Sequence, residues 1–147
     1  MHMFDCELVT QNMDLQAAFQ VRRVVFVEEQ GISEELDFDG LDRQAVHLVV
    51  KDGERVIGTA RVRFLDDKQA KIERMAILKP FRRQGIGSRM ISFLIKELET
   101  RHVEQVVVYA QIKTVAFYRV CGFKLSGSPF LEAGIHHMKM LRRIGSS

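Results

Sequence analysis

A glycine-rich segment in the middle of the chain restricts the fold more than any other feature. Residues 82–88 read Arg-Arg-Gln-Gly-Ile-Gly-Ser; they follow a strand-like run, residues 71–78, and precede the amphipathic pattern of residues 88–98. This order predicts a strand, a tight loop and a helix whose first amides have no partner inside the helix. Those amides carry the positive end of the helix dipole, and glycines let an anion approach the backbone. The segment therefore predicts a phosphate site, with a turn and helix cap as the alternative.

Two common phosphate motifs do not fit these glycines. A P-loop requires Lys-Ser or Lys-Thr after the glycines, and neither pair stands at that spacing. A dinucleotide-binding fingerprint requires a third small residue at the position of Met90. The segment instead has the pattern Arg82-x-x-Gly85-x-Gly87, which resembles the acetyl-CoA loop of the GNAT N-acetyltransferases.

A second motif stands where that family has one. Residues 116–123, Ala-Phe-Tyr-Arg-Val-Cys-Gly-Phe, follow the strand-like run 105–110. They resemble the family's helix that carries a tyrosine and ends at Gly-Phe. Residues 25–30 and 133–138 look like those of a small bacterial ElaA-like branch. The resemblance covers nearly the whole chain.

The periodicity of the remaining sequence predicts alternating strands and helices. We expect a helix after the first strand, a second at 88–98, a third at 114–120, and strands at 4–9, 46–51, 55–64, 70–78, 105–110, 123–126 and 135–141. The acidic stretch 28–44 is expected to be a loop or short helix outside the core, which either attracts a cationic acceptor or is a solvated face. Several strands are joined by hairpin turns, which predicts an α/β (α+β) fold with a mixed, mostly antiparallel sheet flanked by helices. The resemblance implies the same GNAT acyl-CoA N-acyltransferase fold.

Length and composition place the chain among ordinary soluble proteins. Its 147 residues, 46% hydrophobic and 28% charged, predict one domain over residues 1–147. No apolar run approaches the roughly 18 residues of a membrane span, and the N-terminus lacks the order of a secretory signal, so we expect a cytoplasmic protein without membrane contact. Cys6 and Cys121 form no Cys-x-x-Cys pair, so neither a metal site nor a disulfide is expected. The net charge of +3 permits nucleic-acid binding but does not require it.

Acetyl transfer from a thioester to an amine requires a base, because an alkylamine is protonated at neutral pH. The resemblance implies that the acetyl group lies beside the strand that contains Glu73. On that strand Glu73 alternates with Met75 and Ile77, so the three side chains are expected to share a face. Glu73 is therefore the candidate base, acting directly or through water. The alternative is a surface carboxylate paired with an arginine: Arg61, Arg63 or Arg74.

The departing thiolate requires an acid, and the resemblance assigns that role to Tyr118. The alternative is that Tyr118 is only an aromatic packing residue on a buried helix face. Gln111 stands seven residues before the tyrosine, where the family has an asparagine. The resemblance implies that a backbone amide near residues 75–77 polarises the thioester carbonyl and that pantetheine runs antiparallel to this strand. The implied acetyl-CoA contacts are Met75, Ala76, Ile77, Arg82, Arg83, Gln84, Gly85, Ile86, Gly87, Ser88, Gln111 and Phe117.

These motifs lead to one functional hypothesis and two rivals. The hypothesis is an N-acetyltransferase in which a primary amine attacks acetyl-CoA directly in a ternary complex, since neither cysteine has a histidine placed to activate it. The rivals are a non-catalytic acyl-CoA-binding sensor or interaction module of the same fold and, on charge alone, a nucleic-acid-binding domain. His136 and His137 are expected to be strand residues that face the substrate cleft, with a base or metal role as the alternative. A homodimer is possible, and the sequence does not decide the oligomeric state.

Overall fold

Eight strands form one mixed sheet in the computed structural model, which describes residues 4–145. The strands are β1 (Phe4–Leu8), β2 (Val46–Asp52), β3 (Arg55–Phe64), β4 (Gln69–Ile77), β5 (Gln105–Gln111), β6 (Lys124–Leu125), β7 (Phe130–Glu132) and β8 (Ile135–Arg143). Their order is β1-β2-β3-β4-β5-β8-β6, with β7 paired to β8. Only the β4–β5 pair is parallel among these described strands, so the mixed, mostly antiparallel sheet is confirmed. The ends of the predicted domain, 1–3 and 146–147, lie outside the described residues.

The helices pack on both faces of this sheet. They are α1 (Asn12–Arg22), which continues as a π-helix (Arg23–Glu29), α2 (Glu34–Asp37), α3 (Ile86–Thr100) and α4 (Val115–Val120). The helix predicted at 88–98 begins earlier because Gly85, with a left-handed φ of 79°, caps it. Its apolar stripe is buried as predicted, at Met90, Ile91, Leu94, Ile95 and Leu98.

Two hydrophobic clusters divide the core between the two faces. The larger cluster lies under α3 and α4 and takes one set of alternating strand residues, including Leu48, Ile72 and Val108. The smaller cluster lies under α1 and the π-helix and takes residues of the other face, including Val49 and Ala76. Because strand neighbours point to opposite faces, the central strands are buried on both sides.

A gap opens between β4 and β5. Their parallel pairing runs from Gln69 with Gln105 to Ile72 with Val108 and then ends, although both strands continue. β4 is irregular at this point: Arg74 has a left-handed φ of 53°, and the register with β3 shifts opposite it. A β-bulge of this kind bends a strand away from its neighbour. The bulge at Arg74 lies just after Ile72, where β4 and β5 separate.

Two parts of the chain differ from the sequence predictions. Residues 23–29 form a π-helix, and β7 is a strand where only a loop was expected. β7 pairs with β8 through a turn in which Ala133 and Gly134 both have positive φ, 53° and 73°. A two-residue turn with positive φ at both positions suits the twist of an antiparallel hairpin. This hairpin forms one wall of the cavity described next.

Candidate functional site

One cavity of about 1020 Å³ passes through the gap between β4 and β5. Its walls come from the glycine-rich loop, β4, β5, α4, the end of the π-helix and the β7–β8 hairpin. A volume of this size suits a ligand as large as a cofactor. The cavity therefore brings together most of the residues that the two motifs predicted.

The glycine-rich loop presents backbone amides to this cavity. The bond from the Arg89 amide to the Gly85 carbonyl, at 3.2 Å, is the first of α3, so the amides of Ile86, Gly87 and Ser88 have no acceptor within the helix. These three residues line the cavity. The start of this long helix thus has the free amides that the anion-site prediction requires.

Gly87 has a packing role as well. A Cβ atom built on Gly87 would lie 3.0 Å from Cζ of Phe117 and 3.4 Å from Cε of Met75. The absence of a side chain therefore lets α3 approach Phe117 of α4 and Met75 of β4. A substitution at Gly87 would disturb this contact before it affected a bound phosphate.

The two arginines of the loop have different surroundings. Arg82 donates through Nε to the Ile77 carbonyl at 2.8 Å and forms an ion pair with Glu29 at 2.7 Å. Arg83 is exposed, has a φ of 62°, and its side chain has no hydrogen bond or ion pair within residues 4–145. Arg82 thus joins the loop to β4 and the π-helix, whereas Arg83 is free to contact an anion.

Tyr118 lies on α4, across from the bulge of β4. Its hydroxyl lies 3.7 Å from Sδ of Met75, and its ring packs against Phe117 and Phe123, with centroids 5.0 and 5.7 Å away. Burial raises the pKa of the Tyr118 hydroxyl, with a smaller contribution from Cys121. The hydroxyl is therefore protonated at neutral pH, and Tyr118 lines the cavity.

Glu73 is ion-paired on both carboxylate oxygens. Oε1 lies 2.8 Å from Arg61 and 2.6 Å from Arg63, while Oε2 lies 3.0 Å from Lys71. Burial alone would raise the pKa of Glu73, but these cations outweigh it and lower the pKa to about 2. The ion pairs with Arg61 and Arg63 match the alternative derived from the sequence, and the pair with Lys71 was missed.

The prediction that Glu73 shares a face with Met75 and Ile77 was wrong. Met75 and Ile77 pack against the larger cluster, on the side of α3 and α4, whereas Glu73 bonds to Arg61 on the other face. The physical reason is the bulge at Arg74, because one extra residue inverts the alternation beyond it. Glu73 thus faces the cavity from the side opposite to the glycine-rich loop.

The acidic stretch contains the short helix α2 and is mostly exposed, but three of its aspartates are bound to arginines. Arg22 is 1% exposed and bonds to Asp37 at 3.2 Å and to Asp42 at 2.6 Å. Asp39 bonds to Arg61 at 2.8 Å and to Arg74 at 3.2 Å. The expectation that this stretch lies outside the core was therefore wrong for Asp37, which is 2% exposed. These carboxylates are neutralised by arginines of α1, β3 and β4, so they are not available to attract a cationic acceptor.

Aromatic side chains form the wall beyond the gap. Tyr109 is 39% exposed, its ring lies 3.5 Å from Nζ of Lys71, and Phe130 of β7 packs on it at 5.1 Å. His137 of β8 lines the same cavity and stacks on Phe130, whereas His136 is exposed and does not line it. The prediction for the two histidines thus holds for His137 and not for His136. Sequence reasoning did not name Lys71 of β4 or Tyr109 of β5 as cavity residues. It missed Phe130 because β7 was not predicted.

Gln111 makes a contact that the sequence did not indicate. Its Nε2 donates to Oε1 of Gln30 at 2.8 Å, joining the end of β5 to the residue after the π-helix. Both side chains line the cavity. Within residues 4–145, no helix is long and apolar enough to cross a membrane, and no group of three or more potential ligand side chains could hold a metal ion.

Comparison with known proteins identifies the family. Residues 11–144 match the family model described as "Acetyltransferase (GNAT) domain". A Bacillus subtilis (strain 168) relative, described as the uncharacterized N-acetyltransferase YjcF, is 37% identical over 129 residues, 87% of this chain and 91% of that protein. The chain therefore belongs to the GNAT acetyltransferase family, as its two motifs predicted.

Solved structures share the fold. ElaA of Escherichia coli aligns with a TM-score of 0.82 and 22% identity, over 94% of this chain and 99% of that chain. A GNAT family acetyltransferase from Elizabethkingia anophelis, solved with acetyl-CoA bound, aligns with a TM-score of 0.74 and 15% identity. The alignment covers 96% of this chain and 98% of that chain. The GNAT acyl-CoA N-acyltransferase fold is thereby confirmed.

Proposed function

We propose that this member of the GNAT family transfers the acetyl group of acetyl-CoA to a primary amine by direct attack in a ternary complex. The observation that carries the proposal is the cavity through the split sheet, which has free helix amides and the protonated Tyr118 hydroxyl on one side. We place the second substrate on the opposite side, which Lys71, Glu73 and Tyr109 line. The structural neighbour with acetyl-CoA bound supports the choice of co-substrate.

The loop and β4 would hold the co-substrate. We assign the pyrophosphate to the amides of residues 83–88 and to the free guanidinium of Arg83, because α3 directs the positive end of its dipole there. The pantetheine arm would bond to the backbone of Met75 and Ile77, since β4 has no strand partner beyond Ile72 on its β5 side. The proposed contact residues remain those named from the motif: Met75, Ala76, Ile77, Arg82, Arg83, Gln84, Gly85, Ile86, Gly87, Ser88, Gln111 and Phe117.

The chemistry requires one polarised carbonyl and two proton transfers. A backbone amide of β4 near Met75 would donate to the thioester carbonyl and stabilise the negative charge that develops on its oxygen. The amine nitrogen then forms a bond to the carbonyl carbon while the carbon–sulfur bond breaks. Tyr118 would transfer its hydroxyl proton to the departing sulfur, so that CoA leaves as a thiol.

Glu73 remains a candidate base, but its surroundings favour an indirect role. A carboxylate with a pKa of about 2 is a weak base, and both of its oxygens are bound to cations. We propose that Glu73 holds Lys71 and Arg61 in place on the acceptor side of the cleft. Direct proton abstraction by Glu73 would require one of these ion pairs to open.

A measurement of CoA release tests the proposed function. The purified protein is mixed with acetyl-CoA and a panel of primary amines, comprising polyamines, free amino acids, arylalkylamines and lysine-containing peptides, and free thiol is followed over time. Acyl transfer predicts amine-dependent release together with an acetylated product seen by mass spectrometry. Tight binding of acetyl-CoA without release for any amine would support the sensor or interaction module instead.

A further inference from the structure

We propose that His137 is the general base of this reaction, an inference that rests on the proposed function. His137 is 7% exposed and lines the cavity that Tyr118 also lines. The register of the sheet pairs His137 with Gln111, a residue of the part of β5 that borders the gap. The ring therefore lies one strand away from the gap. In the proposed step, an amine in the cavity contacts it directly or through one water molecule.

The hydrogen bond of the ring defines which nitrogen is available. Nδ1 of His137 lies 2.7 Å from the carbonyl oxygen of Ile135. A carbonyl oxygen only accepts hydrogen bonds, so Nδ1 must carry the proton. In the neutral ring Nε2 then keeps its lone pair, which is the requirement for a base. A histidine oriented by its other nitrogen in this way is the usual arrangement of a catalytic imidazole.

The position of the ring is fixed by its neighbours. Phe130 stacks on it with centroids 5.8 Å apart and an angle of 23° between the planes. Nε2 lies 4.0 Å from Oε2 of Glu132, beyond hydrogen-bond distance, and Glu132 is half exposed at the rim of the cavity. Glu132 would attract the imidazolium charge and give the proton a route to solvent.

The charged and titratable groups around His137 come from β5, β7, β8 and the turn after β5, where Lys113 lines the same cavity. Glu132 approaches from β7, Lys139 lies two residues further along β8, and Tyr109 of β5 is paired with Lys139. Across the gap, Lys71 and Glu73 are bound to each other. Unlike Glu73, His137 has no cation from residues 4–145 bound to the nitrogen that would accept the proton.

The proton balance of the step is complete. Nε2 of His137 takes one proton from the acceptor ammonium, which leaves a neutral amine that attacks the thioester. The nitrogen–carbon bond forms, the carbon–sulfur bond breaks, and the proton of Tyr118 goes to the sulfur. The second proton, from the positively charged amide nitrogen, returns to Tyr118 through water. The imidazolium then releases the first proton to solvent past Glu132.

The kinetic test compares His137→Asn with His136→Asn. The Asn amide nitrogen can still donate to the Ile135 carbonyl, but the variant has no atom equivalent to Nε2. The control changes the exposed neighbour on the same strand. We expect His137→Asn to lower kcat/KM by about 10²-fold at neutral pH for the best amine of the panel, with recovery at high pH and an unchanged Kd for acetyl-CoA. With hydroxylamine as the acceptor, the rate of His137→Asn should fall far less, because hydroxylamine is neutral at pH 7 and requires no deprotonation before attack.

Failure of the proposed function and failure of the His137 inference give different results. If the wild-type protein acetylates no amine, the proposed function fails and this inference fails with it. If the wild type is active and His137→Asn has a parallel pH profile, or loses as much rate with hydroxylamine as with the amine, the inference alone is overturned.

A spectroscopic measurement tests the inference without any acceptor. Long-range proton–nitrogen NMR correlation, with the His137 signals assigned by their loss in His137→Asn, reports the protonation of both ring nitrogens. We expect a protonated Nδ1 and an unprotonated Nε2 in the neutral ring. A proton on Nε2 in place of Nδ1 would overturn the assignment.

Discussion

The guanidinium of Arg82 forms two hydrogen bonds with the carboxylate of Glu29, at 3.0 and 2.7 Å, across 53 positions of the chain. The same guanidinium donates from Nε to the carbonyl of Ile77, the last residue of β4. The first residue of the glycine-rich motif thus holds together the π-helix, β4 and the loop. Its contribution to acetyl-CoA binding would then be positional.

Arg82→Lys is expected to weaken acetyl-CoA binding by about threefold to tenfold, because a lysine cannot form the two-bond contact with Glu29 and also reach Ile77. The melting temperature should change little, since the ion pair is about one-third exposed. Calorimetric titration with acetyl-CoA measures the effect. Arg101→Lys, which changes an exposed ion pair with Glu97 outside the cavity, is the control. Equal affinities in Arg82→Lys and the wild type would contradict the positional role.

Gln84→Glu tests the anion site without a change of shape. Gln84 is exposed in the loop and makes only a long contact, 3.4 Å, to the Pro80 carbonyl. A negative charge there should repel the pyrophosphate and reduce acetyl-CoA affinity by about tenfold at low salt, and less at high salt. Gln20→Glu adds the same charge on the exposed side of α1 and should have no such effect. A salt-independent loss would point to a disturbed loop instead of charge repulsion.

Tyr118→Phe should leave folding and acetyl-CoA binding intact. The hydroxyl contacts only the sulfur of Met75 among the described residues, at 3.7 Å, and the ring contacts remain. Turnover should fall by about 10² to 10⁴, the usual value of acid catalysis, if chemistry limits the rate. Single-turnover kinetics, melting curves and acetyl-CoA titration measure the three quantities. Wild-type turnover with chemistry limiting would leave Tyr118 a packing residue.

Glu73→Gln should destabilise the protein in a pH-dependent way. The pKa of Glu73 is lowered to about 2 in the folded state, below the roughly 4.3 of an unfolded chain. Its ion pairs therefore stabilise the fold fully above about pH 4.3, and this stabilisation is lost as the pH falls toward 2. We expect a loss of about 2 kcal/mol at neutral pH after allowance for solvent screening.

Urea unfolding at several pH values measures this difference. Glu104→Gln removes an exposed ion pair with Lys68 and should cost under about 1 kcal/mol. Equal effects of the two substitutions at neutral pH would contradict the buried network around Arg61.

The local parts of the site were predictable. The strand, loop and helix around Gly85 follow from short-range rules, because a change in hydrophobic period and a glycine at a helix start act within a few residues. The buried stripe of α3 and the hairpin at Asp52 and Gly53 follow for the same reason. The resemblance then connected this segment with Tyr118, which the fold brings to the same cavity.

The surroundings of Glu73 were decided by tertiary contacts. No local pattern predicts a bulge at Arg74, because its side chain bonds to Asp39 and to the carbonyls of Leu36 and Asp37 on a distant segment. That bulge turns Glu73 away from Met75. The pairing of Phe130 with His137 depends in the same way on a strand that forms only against β8.

The sequence by itself therefore determined most of the elements, the family and most of the residues that can carry the chemistry. The tertiary structure decided which of those residues are free. Periodicity and turn chemistry act over a few residues, whereas the availability of Glu73 or His137 depends on neighbours from other strands. Three cations bind the carboxylate of Glu73, whereas one carbonyl orients the ring of His137 and leaves its Nε2 without a hydrogen bond to any described residue. The difference between these two side chains lies in packing, which the order of residues does not display.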